Sequence, residues 1–231
     1  MNLGIVVLAR LSSSRLPGKA LMDIGGKPLI KHVLDRISKK FDKNLVVVAT
    51  STETSDDRLA IYIKGLGYNV FRGSLENVAE RFMFAALENS FDTVVRVTGD
   101  SLFADPNIIN DLLKVYLSGS YDIVSNRKIK SYPVGQTFEV INVRRYQDFY
   151  KLFKVSDDFE HVTNFFYQYE DLLKINLGHH QNPDGVFREI SLALDTKEDF
   201  EKISQLFLID SALEHKSYKE IYKLYEEQFY R

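Results

Sequence analysis

The chain has 231 residues, of which 45% are hydrophobic and 27% are charged, and its formal net charge is −2. This balance is typical of a soluble globular protein and gives no sign of a basic nucleic-acid-binding surface. The sequence has no cysteine, which excludes disulfides and thiolate zinc sites, and it shows no signal-peptide or membrane-spanning run. We therefore expect a cytoplasmic protein that binds neither nucleic acid nor membrane.

Strand and helix signals alternate through the first half of the chain. The apolar run at residues 3–8 predicts a buried strand, and Pro28 opens a predicted helix that extends to Lys40. The next elements continue the alternation, with strands predicted at 45–50, 69–71 and 93–98 and helices at 55–66, 76–89 and 105–117. This repetition favours an α/β fold, with a Rossmann-like, mostly parallel sheet and helices on both faces.

The pattern changes after residue 120. Strands are predicted at 122–125, 138–143, 173–177 and 190–194, and helices at 146–153, 159–169, 198–208 and 217–229. The helices between residues 146 and 169 are rich in aromatic side chains, which indicates either core packing or a dimer face.

A basic, serine-rich loop follows the first predicted strand. It carries Arg10, Arg15 and Lys19 together with three serines, at 12–14, and Gly18. Ligands of open α/β sheets bind at the carboxyl ends of the strands, and such a loop offers cations and hydrogen-bond donors to a polyphosphate. It matches neither the P-loop pattern nor the Gly-x-Gly-x-x-Gly fingerprint, which argues against a kinase-type NTPase and a dehydrogenase.

Two aspartates end apolar strands. Asp100 follows the run at residues 93–98, and Asp195 follows the run at 190–194. Two carboxylates at one cleft suit octahedral Mg²⁺ bound mostly through substrate phosphates, although Asp195 is also well placed to cap the next helix. His179 and His180 are a poor metal pair, because adjacent residues diverge and no third ligand is near in sequence.

The loop at residues 8–21 resembles the signature of the cytidylyltransferases that make CMP-activated sugars, of the CMP-3-deoxyoctulosonate synthetase and acylneuraminate cytidylyltransferase type. The spore coat polysaccharide biosynthesis subgroup matches best, because Arg-x-Thr-Gly-Asp (96–100) and Glu-His-Val-Thr (160–163) both appear. The likeness covers most of residues 4–203, with further matching segments at 26–29, 48–51, 72–74, 121–126, 132–135 and 194–200.

The resemblance implies a GT-A-like nucleotidyltransferase fold with a small subdomain for dimerisation and the acceptor. It also implies CMP transfer from CTP, with Mg²⁺, to an acidic or phosphorylated sugar-like acceptor for surface polysaccharide biosynthesis, pyrophosphate release, and a homodimer. On this basis residues 1–231 form one nucleotidyltransferase domain. Its expected parts are a nucleotide-binding core at about 1–125, an acceptor and dimerisation portion at about 126–190, and a returning strand with C-terminal helices at about 191–231.

The resemblance further implies roles for individual residues. Arg15, Lys19 and Asp100 are expected to be catalytic, with Asp100 and Asp195 as metal ligands. The expected acceptor-binding residues are Gln136, Glu139, Glu160 and His161. The expected nucleotide-binding residues are Leu8, Ala9, Arg10, Ser14, Arg15, Lys19, Ala49, Thr50, Ser51, Asn77 and Arg81.

Three other functions fit parts of the sequence. A sugar-1-phosphate nucleotidyltransferase that uses another NTP typically has a glycine-rich loop where this chain has three serines, at 12–14. A GT-A glycosyltransferase would place an Asp-x-Asp metal motif after the fourth strand, and Asp100-Ser101-Leu102 does not match it. A regulatory nucleotide-binding module would not need the complete set of phosphate and metal candidates.

Overall fold

The computed structural model describes residues 2–185, 187 and 190–230. Its strands, in chain order, are β1 (Leu3–Leu8), β2 (Asp23–Ile24), β3 (Lys27–Pro28), β4 (Val46–Ser51), β5 (Asn69–Gly73), β6 (Thr93–Thr98), β7 (Ile123–Ser125), β8 (Glu139–Asn142) and β9 (Leu177–His179). Within these described residues, β2 and β3 form a small hairpin, and the other strands form a seven-stranded sheet in the order β5-β4-β1-β6-β8-β7-β9.

The main sheet is parallel except at β8. This strand runs antiparallel to both of its neighbours, β6 and β7. β8 therefore begins at the sheet edge where β1, β4, β6 and β7 end. Residues that enter β8 meet residues that leave the parallel strands at this edge, and the prediction of a mostly parallel α/β sheet is confirmed.

Helices cover both faces of the sheet. They are α1 (Leu29–Ile37), α2 (Asp57–Gly65), α3 (Val78–Glu88), α4 (Pro106–Leu117), α5 (Val143–Tyr150), α6 (Ser156–Glu160), α7 (Asn164–Gln168), α8 (Lys197–Ile209) and α9 (Tyr218–Phe229). Alternate residues of β1 point to opposite faces, so Val7 belongs to the core under α1, α2, α4, α8 and α9, while Val6 belongs to the core under α3, α5 and α7. In the described part of the chain no helix is long and apolar enough to cross a membrane.

The first half of the chain follows the predicted elements closely, whereas the second half departs from them at three places. The helix predicted at 159–169 is two short helices, α6 and α7, separated at residues 161–163. In the segment 173–177, where a strand was predicted, residues 173–174 form a turn and 175–176 are irregular, so β9 starts only at Leu177. The strand predicted at 190–194 is reduced to a bridge between Val134 and Ser191.

The aromatic residues at 146–169 form core and not an open face. Tyr146, Phe149, Phe153, Phe165 and Phe166 are buried within this single chain and pack against one another in stacked, tilted and edge-to-face pairs. Of the two alternatives for the aromatic residues, core packing therefore applies to these five side chains, because they pack into the core that covers one face of the sheet.

Candidate active site

The basic loop after β1 is held in place by a buried aspartate. Asp56 Oδ1 accepts a hydrogen bond from the backbone N–H of Leu11 at 2.7 Å, and Oδ2 accepts from the N–H of Ser51 at 3.1 Å and from its hydroxyl. Burial alone would raise the pKa of Asp56, but these hydrogen bonds outweigh it and bring the pKa below its usual value of 3.8. Asp56 precedes α2 but makes no side-chain cap there, and instead its carboxylate ties the loop to β4.

Lys19 joins the two predicted metal ligands. Its Nζ donates to Asp100 Oδ2 at 2.8 Å and to Asp195 Oδ1 at 2.9 Å, and only 12% of its side chain is exposed. Arg15 adds a second cation, with Nη2 2.5 Å from Asp195 Oδ2. The structure thus brings together the three predicted catalytic residues and the two predicted metal ligands.

A backbone hydrogen bond next to Asp195 places it in this cluster. The N–H of Leu194 donates to the carbonyl of Asp100 at 3.0 Å, which sets the two aspartates side by side. The cap of α8 is Thr196, whose hydroxyl accepts from the N–H of Asp199. The alternative role for Asp195 as a helix cap is therefore filled by its neighbour, and its carboxylate faces the cleft.

Gly99 allows the ends of β1 and β6 to approach closely. Its N–H donates to the carbonyl of Leu8 at 2.8 Å, and a Cβ at this position would lie 2.9 Å from the same carbonyl oxygen and 2.8 Å from the Cβ of Ala9. A side chain at Gly99 would push Asp100 away from the basic loop.

A cleft of about 300 Å³ opens beside this cluster. Seven of the predicted nucleotide-binding residues line it, together with side chains from the end of β6 and from the α6 region. The lining residues that come from the sequence predictions are Leu8, Ala9, Arg10, Ser14, Arg15, Lys19, Arg81, Asp100, Glu160, His161 and Asp195. We call this space the first cavity.

Four predicted nucleotide-binding residues lie outside the lining of the first cavity. Ala49, Thr50 and Ser51 are fully buried in β4, and the Ser51 hydroxyl is bonded to Asp56. The Asn77 side chain caps α3 by accepting from the N–H of Glu80, and it donates to the Tyr150 hydroxyl. Their side chains are thus used by the fold, which the sequence pattern did not reveal.

Arg81 is a buried cation that faces the first cavity. Its Nη1 donates to the carbonyls of Ser74 and Leu75, its Nε has no partner, and no carboxylate of the described residues forms a salt bridge with it. Arg10 donates to the same Leu75 carbonyl, so two guanidinium groups converge. Burial and this neighbouring charge lower the pKa of Arg81 to about 10, which leaves it charged at neutral pH.

A second space of about 490 Å³ adjoins the first. We call it the second cavity. The two share a wall made of Arg15, Arg96, Thr98, Asp100, His161 and Asp195. The second cavity is further lined mainly by polar groups and small residues, among them Ser101, Arg127, Gly135, Thr137, Thr163, Asn164 and Ser191.

Arg96 and Arg127 bring positive charge to the second cavity, and sequence reasoning assigned a role to neither. Arg96 Nη1 pairs with Glu139 Oε2 at 2.7 Å across the β6–β8 register, and Arg127 lies over the ring of Tyr167 at 5.0 Å. The sequence signal that could have identified Arg96 is a cation near the end of an otherwise apolar strand. Arg127 follows β7, and only the sheet topology shows that it lies at the same edge as Arg96.

Two predicted acceptor-binding residues have other tasks. Glu139 is fully buried and lines neither cavity; it accepts from Arg96 and from the Tyr167 hydroxyl at 2.7 Å. Gln136 is also fully buried, since its side chain accepts from the N–H of Asp105 and donates to the carbonyl of Phe103. The expectation that these two side chains contact the acceptor directly is therefore corrected, because their polar groups form hydrogen bonds inside the fold.

Glu160 and His161, the other two expected acceptor-binding residues, lie at the mouth of the cavities. Both are exposed, Glu160 lines the first cavity, and His161 lines both. His161 Nε2 is 3.4 Å from Asp157 Oδ1. They are positioned by the break between α6 and α7, so the irregular backbone that the periodicity missed is part of the site.

The family comparison agrees with this geometry. A family model described as cytidylyltransferase matches residues 4–230. The spore coat polysaccharide biosynthesis protein SpsF of Bacillus subtilis is 30% identical over 209 residues, covering 87% of this chain and 85% of that protein. The 8-amino-3,8-dideoxy-manno-octulosonate cytidylyltransferase of a Shewanella species is 27% identical over 237 residues, covering 93% of this chain and 87% of that protein.

Solved structures give the same result. A cytidylyltransferase from Leptospira borgpetersenii superposes with a TM-score of 0.91 at 25% identity, covering 99% of this chain and 95% of that chain. The CMP:2-keto-3-deoxy-manno-octonic acid synthetase solved with CTP, at a TM-score of 0.68 and 19% identity over 91% of this chain and all of that one, shares the fold. The chain therefore belongs to the cytidylyltransferase family and is a nucleotidyltransferase.

Proposed function

We propose that this enzyme transfers CMP from CTP to an acidic or phosphorylated sugar-like acceptor of surface polysaccharide biosynthesis, with release of pyrophosphate. One observation carries the proposal: Lys19, which lines the first cavity, bonds Asp100 and Asp195, and both of these aspartates lie in the wall that the two adjoining cavities share. A transfer between two substrates needs two neighbouring sites, with charged groups where they meet. On this reading residues 1–125 mainly hold the nucleotide, and residues 126–190 mainly hold the acceptor.

The first cavity suits a nucleoside triphosphate. Arg10, Arg15, Lys19 and Arg81 supply cations, and Ser14 supplies a hydroxyl. Arg81 is buried without a salt bridge among the described residues, and the charge of Asp56 compensates it only in part, which favours an anion bound beside it. A triphosphate would compensate that charge and relieve its repulsion with Arg10.

The pyrimidine base would lie against the apolar part of the first cavity. Leu8, Ala9 and Val78 line it, and Arg81 is the neighbouring donor. Ala49, Thr50 and Ser51, which were expected to bind the nucleotide, do not line this cavity and are not needed for this contact. A small set of matched hydrogen bonds is enough to reject a wrong base, because a mismatch leaves buried polar groups unpaired.

The carboxylates at the shared wall fit Mg²⁺. Asp100 and Asp195 both reach one ammonium, so their oxygens converge on a small space. Within the described residues no third His, Asp or Glu joins them in a metal-binding group, which suits an ion that takes its other ligands from phosphates and water. When bound there, Mg²⁺ would neutralise negative charge on the phosphates.

In the proposed reaction an acceptor oxygen attacks the α-phosphorus, and the bond from that phosphorus to the pyrophosphate oxygen breaks. Arg15 and Lys19 would stabilise the charge that grows on the departing pyrophosphate. A phosphate or phosphonate acceptor is already ionised. A 2-keto-3-deoxy sugar acid would attack through its anomeric hydroxyl, whose proton must leave, and Glu160 and His161, which line the cavities, are the groups that would accept it.

A product screen tests the proposal. The enzyme is incubated with Mg²⁺, with each of CTP, UTP, GTP and ATP, and with a panel of ulosonic acids, including 3-deoxy-manno-octulosonate, polyol phosphates and phosphonates. Mass spectrometry is expected to find CMP conjugates of an acidic small molecule, formed by the wild type and not by Asp100→Asn. Conjugates formed only from another NTP would indicate the sugar-1-phosphate alternative. CMP found only on lipid, protein or nucleic acid would refute a small acceptor.

A homodimer is proposed separately. Its support is now the exposed apolar side chains Leu152, Val155 and Leu172, which are 43%, 53% and 77% exposed. Light scattering at micromolar concentration is expected to give twice the chain mass, and a monomer mass would remove this proposal.

A further inference from the structure

Arg96 has the geometry of a preoriented anion-binding group. Arg96 lines both cavities. Its Nη1 donates a hydrogen bond to Oε2 of the fully buried Glu139 at 2.7 Å, which fixes one edge of the guanidinium. Glu139 is itself held by the Tyr167 hydroxyl at 2.7 Å. The buried Nε of Arg96 has no partner within the described residues. A guanidinium held at one edge keeps its remaining N–H groups for a ligand and loses little side-chain entropy on binding.

The same edge of the sheet carries a second cation over the same tyrosine. Arg127 stacks on Tyr167 and lines the second cavity only. Tyr167 therefore contacts both the carboxylate that orients Arg96 and the cation beside it. Outside the wall shared with the first cavity, side chains such as Thr137, Thr163 and Asn164 are neutral hydrogen-bonding groups that suit hydroxyls.

We propose that Arg96, oriented by Glu139 and Tyr167, binds the carboxylate or phosphate of the acceptor and so selects an anionic over a neutral acceptor. This inference rests on the proposed function and adds to it the residue that reads the acceptor charge. Arg127 assists as the second cation. Glu139 and Tyr167 are positioning residues. Glu139 was expected from the sequence to contact the acceptor, and on this proposal it acts on the acceptor indirectly, through Arg96.

The test compares each of two acidic ligands with a neutral counterpart. Calorimetry is done on the protein saturated with Mg²⁺ and a CTP analogue that has a methylene bridge between the α- and β-phosphorus. The probes are 3-deoxy-manno-octulosonate against its methyl ester, and glycerol 3-phosphate against glycerol. At least one acid is expected to bind ten- to a hundredfold more tightly than its neutral counterpart, as for the loss of one charged hydrogen-bonded contact.

Variants assign that preference to a residue. Arg96→Gln is expected to abolish the preference for the acid while the affinity for the CTP analogue stays within about twofold. The matched control is Arg144→Gln, an exposed arginine on α5 that lines neither cavity. If Arg96→Gln folds poorly, Arg96→Lys is used instead. It keeps the positive charge but not the planar set of guanidinium N–H donors, and it is expected to retain only part of the preference for the acid.

The positioning role has its own readout. Tyr167→Phe removes only the hydroxyl that donates to Glu139, so KM for the acid is expected to rise several-fold with kcat and KM for CTP unchanged. A charge preference that survives in Arg96→Gln would overturn the proposal. So would an Arg96→Gln variant that weakens only the CTP analogue, or a wild type that binds the analogue but neither acid. A wild type that fails to bind the CTP analogue would instead overturn the proposed function.

Discussion

Lys19 and Asp195 are 176 positions apart, yet the lysine Nζ lies 2.9 Å from the aspartate Oδ1 and also bonds Asp100. The ammonium thus stands between two carboxylates at the boundary of the two cavities. A triphosphate and a divalent cation would change the partners of all three groups at once. We therefore expect removal of the lysine or of either carboxylate to affect both turnover and ligand binding, and the two effects can be measured separately.

Lys19→Ala is expected to lower kcat by about 10²-fold or more, because a positioned cation that stabilises the leaving pyrophosphate is lost. Arg15→Ala is expected to act in the same direction. Pyrophosphate release at saturating CTP measures both, with the exposed Lys114→Ala on α4 as the matched control. An effect confined to KM for CTP would mean that these cations only bind the nucleotide.

Asp100→Asn is expected to lose most turnover while the fold survives, since one of two metal-binding carboxylates becomes a neutral amide. Kinetics over a range of Mg²⁺ concentrations, together with a thermal melt, measure the two effects. The control is Asp111→Asn, an exposed carboxylate on α4. Near-normal kcat at saturating Mg²⁺ would show that Asp100 holds no metal.

CTP is expected to raise the melting temperature more than UTP, GTP or ATP when Mg²⁺ is present, because binding to the folded state stabilises it in proportion to affinity. Thermal shift at matched nucleotide concentrations measures this order. Arg81→Gln should weaken the response to every triphosphate. Equal or greater stabilisation by a purine nucleotide would contradict the base preference.

Asp56→Asn is expected to destabilise the fold by about 1–3 kcal/mol at neutral pH, since the amide cannot accept all the hydrogen bonds that tie Leu11 and Ser51 together. The folded-state pKa of Asp56 lies below its usual value of 3.8, so its contribution is present above that pH and is lost as pH falls through the lowered pKa.

Urea unfolding at several pH values tests this sign. The stability gap between wild type and Asp56→Asn should narrow as pH falls from about 5 to about 3. The control is Asp57→Asn, the adjacent half-exposed carboxylate paired with Arg72. A gap that is constant or widens toward acid would contradict the assigned role.

The sequence predicted well which charged residues meet beside the first cavity, because these residues lie on loops that directly follow strong apolar strands. Arg15, Lys19 and Asp100 needed only the parallel topology to meet. Side chains that carry the same polar groups but serve the interior, such as Gln136 and Asn77, cannot be told apart from ligand-binding ones by residue type. Their partners are set by tertiary contacts far away in sequence.

The second half of the chain was harder to predict for a related reason. The break at residues 161–163 and the late start of β9 interrupt apolar runs that fit a longer helix and an earlier strand. Phe165 and Phe166, which directly follow the break, pack into the core, and such tertiary packing cannot be read from local periodicity.

The single reversed strand divides the site into two parts that can change independently. β8 enters the sheet at the edge where its neighbours leave it, so the segment at 126–138 reaches the second cavity without passing through the nucleotide loop. Insertions or substitutions in that segment would leave the pairing of β1 with β4 and β6 intact. A fold built this way can acquire a new acceptor preference while it keeps the same activated donor.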